Sequence, residues 1–516
     1  MNFFRLGYFA ILLFAFACMG DTMAARAESD ASPSDSTEAH SSEMIKGVHA
    51  PASSTQQWQP PDLRGLVAQI KSKPQLEAEA GKEYSLVELV DFAERANPET
   101  KVAWEEARQA AAAVGLVQSE YFPLLAVKAS ALYAREPVPV PLTATEAGFL
   151  DVKDQYVEPV LSLEWLLLDF GRRKSAVTGA KFRLLAADLG FNARHQQIVF
   201  GVQTAFYELA KAKGKIVVAH SSLDAAVKVK EAVEARSKSG LATSPEVSQA
   251  EQQAAQAAFD LEEVIAKERD AQVALAQIIG VTPTIPLQVE DFSRLPLPNN
   301  LADTVEQVID RSLEQRPDLL AQAAIIRQRE AEVKNAQEAY YPTLSFLGQA
   351  GGTFDRAEVN VEGTRLPWVS TEQPIWAVGL ALNWNLFDGG ARKKKLELAR
   401  ASRDAALRSL EDSRDKAISQ VFQFYTDTRL AVRRLDVAGT LVEASQKSYS
   451  QTFESYNNGL SSLVDLLNAR QGLSQAEYTL LETRAALLES TSALAFASGD
   501  LGPDFAGKVK SKSEKP

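Results

Sequence analysis

The sequence predicts a mainly α-helical chain with a minority of membrane-type β-structure, built from one helix/β-hairpin unit written twice. Three observations predict this. First, landmarks of several residue types recur 219 positions apart: Pro98 and Pro317, Tyr121 and Tyr340, Pro123 and Pro342, Trp165 and Trp384, Gly240-Leu241 and Gly459-Leu460, Ala250 and Ala469, Gly280 and Gly499. One register kept over about 180 positions marks an internal duplication. Second, each unit holds a long proline-free stretch, from Arg172 to about Ser239 and from Arg392 to about Asn458. Third, the segments just before those stretches alternate apolar and small or polar residues with period two, as strands do.

In chain order, the first 27 residues read as a signal peptide: Arg5 supplies a positive start and an apolar run too short to span a bilayer follows. Cleavage fits after Ala27 or after Ala17, and Cys18, the only cysteine, offers a lipid-modified N-terminus as a third option. Cleavage after Ala27 leaves no cysteine, so neither disulfides nor a thiolate metal site supports the fold. Residues 28–81, rich in Ser, Pro, Glu and Gln, read as a mostly disordered leader, and 503–516 as a basic disordered tail. Between them lie repeat 1, residues 82–290, and repeat 2, residues 291–502.

A net charge of −12 argues against a nucleic-acid binder. Beyond the signal no apolar run reaches the roughly 18 residues of a transmembrane helix. An exported chain of this kind is periplasmic, secreted, or set in an outer membrane through strands.

Within each repeat, Asn97-Pro98-Glu99 or Arg316-Pro317-Asp318 places proline and an acid at a helix start, and Pro123 or Pro342 ends the helix. Counted from Leu86, the helical part before the strands is about 35 residues. Two strand-like segments of about ten residues follow. The proline-free stretch is a helix of roughly 100 Å at 1.5 Å per residue. After a Gly-Leu break a helix of about 35 residues runs to Gly280 or Gly499, so two short helices end to end match one long one.

The last strand of repeat 2 has one oily face, Trp376, Val378, Leu380, Leu382, Trp384 and Leu386, and one small or polar face, Ala377, Gly379, Ala381, Asn383 and Asn385. Its counterpart sets Val157, Pro159, Leu161, Leu163, Trp165 and Leu167 against Glu158, Ser162 and Glu164. Alternation alone also suits a soluble sheet with one buried face. Trp165, Trp376 and Trp384 on the oily face tip the reading toward a membrane-interface girdle. Directly after the strands come Arg172 and Arg173, and Arg392 and Lys393, at helix starts where the macrodipole opposes cations. Something outside the helix must favour them, and anionic headgroups at that level are the expected partner. Asp169 and Asp388 can cap the helices.

Two repeats give four membrane strands, whereas the smallest closed barrels have eight, so the protein must oligomerise. At this point the chain resembles the TolC-type outer-membrane efflux proteins, over roughly residues 84–502. The resemblance is carried by the duplication, Tyr-x-Pro at both first strands, "LFDGGARK" after the last strand and "YNNGLSSLVDLLNARQ" late in repeat 2. It implies a homotrimer with a twelve-stranded β-barrel in the outer membrane, continuous with a long periplasmic α-helical barrel. It also implies a passive exit duct for efflux or type I secretion that docks to a periplasmic adaptor and an inner-membrane pump and needs no cofactor. The alternative is a soluble periplasmic coiled-coil scaffold or adaptor, but lipoyl-like β-rich segments flanking one helical hairpin are not found.

No phosphate loop, nucleophile elbow or zinc-protease motif occurs, and His195 and His220 fall at helical surface positions, so no enzyme is expected. The two helix breaks read as hairpins with glycine C-caps and Ser or Thr N-caps. In the resembling family these turns form the tip that meets the adaptor, matched here at Gly240, Leu241 and Thr243 and, more closely, at Gly459, Leu460 and Ser461. The family's periplasmic gate of acidic residues is matched at Asp465, with Asn468 where a second acid is common and Glu246 as the equivalent in repeat 1. Both acids lie in a first helical turn, where they also simply complement the dipole.

Overall fold

The computed structural model describes residues 82–501 apart from 142–146, 285–286, 292–294, 296, 298–302 and 362–363. The expected signal peptide, leader and basic tail lie outside the described residues.

Repeat 1 opens with β1 (Glu83–Tyr84), α1 (Leu86–Ala96) and α2 (Pro98–Ser119), followed by the strands β2 (Leu124–Pro141) and β3 (Ala147–Leu168). Next come α3 (Arg172–Lys238), α4 (Ser244–Ile279) and β4 (Gln288–Val289). Repeat 2 comprises α5 (Val305–Gln315), α6 (Pro317–Glu338), β5 (Thr343–Val361), β6 (Thr364–Arg365), β7 (Val369–Asn383), α7 (Ala391–Asn457) and α8 (Leu463–Ser498). The helix expected from Leu86 is broken at Asn97, whose carbonyl side chain caps α2 through the Glu99 N–H while its amide donates to the Ile278 carbonyl at 2.8 Å. Pro98 then occupies the first turn, where a missing N–H costs nothing.

The duplication is kept in the strand register. Leu124 pairs with Glu164 in the first hairpin, and Thr343 with Asn383, each 219 positions on, in the second. β3 joins the hairpins by pairing antiparallel with β5, leaving β2 and β7 at the edges. The strands run 15 to 22 residues, longer than the expected ten. The cause is visible in β3. Its odd-numbered face is apolar from Trp165 to Val157 and then charged, with Lys153 bound to Glu358 at 2.8 Å and Asp151 to Arg135 at 2.7 Å. The nine residues from Val157 to Trp165 span roughly 26 Å along the strand, about the height of an outer-membrane apolar band, and the polar remainder extends past it.

The main core gathers where the two hairpins of helices meet β1 and β4: Leu89, Ile198, Phe206, Leu209, Leu275 and Ile279 with Leu287 and Val289. The short parallel pairing of β1 with β4 brings the two ends of repeat 1 together and was not foreseen, since two-residue strands carry no periodicity. A second cluster, Val308, Val421, Leu494 and Ala497, is the repeat 2 counterpart. Among the described residues no helix is long and apolar enough to cross a membrane.

Candidate functional site: membrane corners and helical tip

Each strand-to-helix corner is built by an Asp, a glycine and an Arg. Asp169 accepts from the Gly171 N–H at 3.3 Å and from the Arg173 N–H at 2.7 Å, and its carboxylate also holds the Arg173 guanidinium at 3.0 Å. Asp388 does the same with Gly390, Arg392 N–H and Arg392 Nε at 3.1, 3.0 and 2.7 Å. Gly171 and Gly390 have φ of 102° and 86°, a left-handed turn that glycine adopts without strain. Both aspartates therefore cap, as expected, from just outside the helix. Burial works against the charge of Asp169, but the Arg173 backbone and side-chain hydrogen bonds prevail and hold its pKa below the ordinary value. For Asp388 the Arg392 side chain is the main cause of the same downward shift.

The expectation that an outside partner must favour these cations is corrected for two of them. Arg173 is buried, also donates to the Glu120 carbonyl at 3.1 Å and lies over the Tyr121 ring at 4.7 Å. Arg392 lies over the Tyr340 ring at 5.1 Å. The i,i+4 carboxylate already answers the adverse dipole. Arg172, Lys174 and Lys393 to Lys395 stay exposed.

Trp165 and Trp384 clamp these corners. Their indole N–H groups donate to the Tyr121 and Tyr340 carbonyls at 2.9 and 3.1 Å, tying the strand end to the preceding helix. Trp376 lies farther along β7 with most of its ring exposed. Trp384 and Leu386, placed on the last strand by the sequence, fall just beyond the end of β7. His195, expected to be solvated, is half-buried, 3.5 Å from Glu94 and edge-on to Phe191.

At the other end of the long helices, Gly240 and Gly459 both have φ of 74°, and the N–H groups of Leu241 and Leu460 return to the Arg236 and Ser455 carbonyls at 2.8 Å. The hairpins fold back and leave both leucines exposed. Behind them Val233, Ala250, Tyr456, Leu463, Leu466 and Leu467 pack the two turns together. Thr243 caps α4 with Glu246, whose carboxylate accepts from the Thr243 N–H at 2.6 Å and hydroxyl at 2.9 Å. The equivalent cap of α8 is Ser462, not Ser461. Asp465 accepts from the Ser462 N–H at 3.1 Å and hydroxyl at 2.6 Å, with Ser461 Oγ more distant at 3.3 Å. Applying the 219 offset to Thr243 would have named Ser462. These bonds lower both pKa values, led by the Ser462 hydroxyl for Asp465 and the Thr243 N–H for Glu246. Asn468 is exposed one turn beyond Asp465. Among the described residues no cluster of His, Cys, Asp or Glu suits a metal.

A family model described as outer membrane efflux protein matches residues 89–281 and 308–500, two spans that are themselves 219 positions apart. The chain belongs to the outer membrane efflux protein family. Protein CyaE of Bordetella pertussis is 25% identical over 449 residues, which are 86% of this chain and 90% of that protein. Outer membrane protein OprJ of Pseudomonas aeruginosa is 23% identical over 347 residues, 67% of this chain and 70% of that protein. Among solved structures, the CmeC outer membrane channel of Campylobacter jejuni matches with a TM-score of 0.68 at 19% identity, over 86% of this chain and 94% of that one. The outer-membrane channel OprN matches with a TM-score of 0.68 at 21% identity, over 88% and 98%. This efflux protein is an exit duct of the outer membrane with a large periplasmic helical part. Its family is one of channels rather than enzymes, and the relatives include proteins described as the outer membrane proteins of efflux pumps.

Proposed function

We propose that three copies of this chain form a closed twelve-stranded barrel through which cargo leaves the periplasm, in a tripartite efflux or type I secretion system. The observation that carries this reading is the open sheet of four long strands, with the two-residue β6 at the end of β5. β2 and β7 are paired on one side only, and an edge of this length and apolarity is stable in lipid only when another strand completes it. The odd face of β3 and the even face of β7 meet lipid, with Trp165, Trp376 and Trp384 in the interfacial girdle and Arg172 and Lys393 at headgroup level. The tip, Gly240, Leu241, Thr243, Gly459, Leu460 and Ser461, is the adaptor's docking place, since it offers exposed leucines on rigid turns. Asp465, Glu246 and Asn468 line the periplasmic gate.

The test is fractionation followed by native mass measurement in detergent. A heat-dissociable species of three chain masses in outer-membrane fractions, forming ion-conducting pores in planar bilayers, is the expected result. A monodisperse monomer, soluble without detergent, would refute the reading.

A further inference from the structure

Past the apolar band, at the end of the sheet away from the helices, the face that carries Val157, Leu161 and Trp165 turns polar in a definite order. The first cross-strand row beyond Val157 is Tyr133 of β2, Gln155 of β3, Arg356 of β5 and Ser370 of β7, each the direct register partner of the next. All four are exposed. Every one of these side chains offers a hydrogen-bond donor, and none is an acid. With strands about 4.8 Å apart the row is roughly 14 Å wide.

The row beyond it is electrically closed, because Arg135 is bound to Asp151 at 2.7 Å and Lys153 to Glu358 at 2.8 Å. Arg356 is different. No carboxylate of the described residues pairs with it, Glu372 on the neighbouring β7 included, and its guanidinium lies over the Trp368 ring at 5.2 Å. The indole attracts the cation through its π face and leaves the guanidinium N–H donors to an outside acceptor. We propose that Arg356, with Tyr133, Gln155 and Ser370 beside it, binds the phosphate of a lipid headgroup in the outer leaflet of the membrane. This deepens the barrel reading above and rests on it, since that reading sets the odd face of β3 against lipid.

Position and charge both select this occupant. The basic corners lie at the helix end of the band, so the donor row at the opposite end meets the other leaflet. There a phosphate answers the unpaired cation, and two of its oxygens fit the guanidinium fork. Tyr133 and Trp368 are residue types favoured at that level. The acyl chains of the same lipid lie along Val157, Leu161 and Phe354, an anchorage that free phosphate lacks. The 219 offset places Pro137 where repeat 2 has Arg356 and Phe149 where it has Trp368, so each chain carries one such site.

Native mass measurement of the detergent-extracted full chain tests this, with an acylated, phosphorylated diglucosamine lipid and its dephosphorylated form as probes. The three-chain species should retain up to three phosphorylated lipids and release the dephosphorylated form. Arg356→Gln should lower retention about tenfold, as loss of one charge-assisted contact does. Lys128→Gln removes a cation from the opposite face of the sheet and should leave retention unchanged. Equal retention by the parent chain and Arg356→Gln, equal retention of the two lipids, or retention of neither would overturn the site. Displacement of the lipid by an equal concentration of inorganic phosphate would overturn the lipid as its occupant. A monomer soluble without detergent would instead remove the barrel reading itself.

Discussion

Arg173 and Arg392 hold equivalent places in the two repeats but at different depths. The side chains of Arg173 and Asp169 are 7% and 9% exposed, against 15% and 24% for Arg392 and Asp388. Removing one partner of a buried pair leaves a charge with no counter-charge. Arg173→Ala should therefore cost roughly 3 kcal/mol, the low end of that range because Asp169 keeps two backbone N–H donors. Arg392→Ala should cost less, and equal losses in heat-dissociation midpoints would contradict the depth argument. At the tip, Asp465 is both cap and candidate gate. Its pKa is lowered, so the stability its charged cap contributes is fully present above the ordinary carboxylate pKa and is lost as pH falls through the lowered folded value. A ring of such charges in a constriction favours cations and binds multivalent ones. Asp465→Asn, which can still accept the Ser462 N–H, should lower cation preference and weaken block by a trivalent cation in planar bilayers. Unchanged permeation with the oligomer intact would leave Asp465 as a capping residue alone.

For the elements, what the sequence disclosed tracks how strongly local chemistry repeats. The long helices begin and end within a residue or two of expectation because nothing in 67 residues interrupts them and glycine closes both ends. The strands were read short because Asp151, Lys153 and Arg135 interrupt the apolar face, although pairing continues through them. The inward turn of Arg173 was hidden for a different reason: a run of basic residues reports charge, not which side chain folds back on the preceding acid. The N-cap of α8 is legible only as a serine, since Ser461 and Ser462 are alike in type and only the repeat register singles out Ser462. The faces themselves can be tested. Leu380 lies mid-band on β7, and Leu380→Lys should cost roughly 2–4 kcal/mol in the assembled barrel, as a lipid-facing charge near the midplane does. Ala377→Lys, on the opposite face, should assemble normally, and the reverse ranking in outer-membrane yield would invert the in/out assignment.

At the scale of the whole molecule, the repeats are joined not only by β3 and β5 but by α3 against α8. One half-buried acid, Glu489, sits in that seam. Burial first, then the Glu208 carboxyl that is hydrogen-bonded to it, raises Glu489 to about 7, with Lys211 opposing them. Oε1 of Glu489 has no hydrogen-bond partner among the described residues, while Lys211 is committed to Glu208 at 2.6 Å and Tyr207 beside them is also pushed up by burial. The folded pKa lies above the unfolded value, so the folded state holds more protons between the two. The contribution of Glu489 to stability is then fully present below the unfolded carboxylate pKa of 4.5 and is lost as pH rises through about 7. Acids with lowered pKa, such as Asp169 and Asp318, act the other way and only at lower pH, so they do not mask this loss near neutrality. Glu489→Gln keeps the shape and hydrogen-bonding capacity while removing the charge. Its heat-dissociation midpoint should match that of the parent chain near pH 4.5 and exceed it increasingly from pH 6 to 8. A constant difference across that range would show that the substitution acts through packing, and a deficit at pH 8 would mean that the ionised Glu489 stabilises the seam.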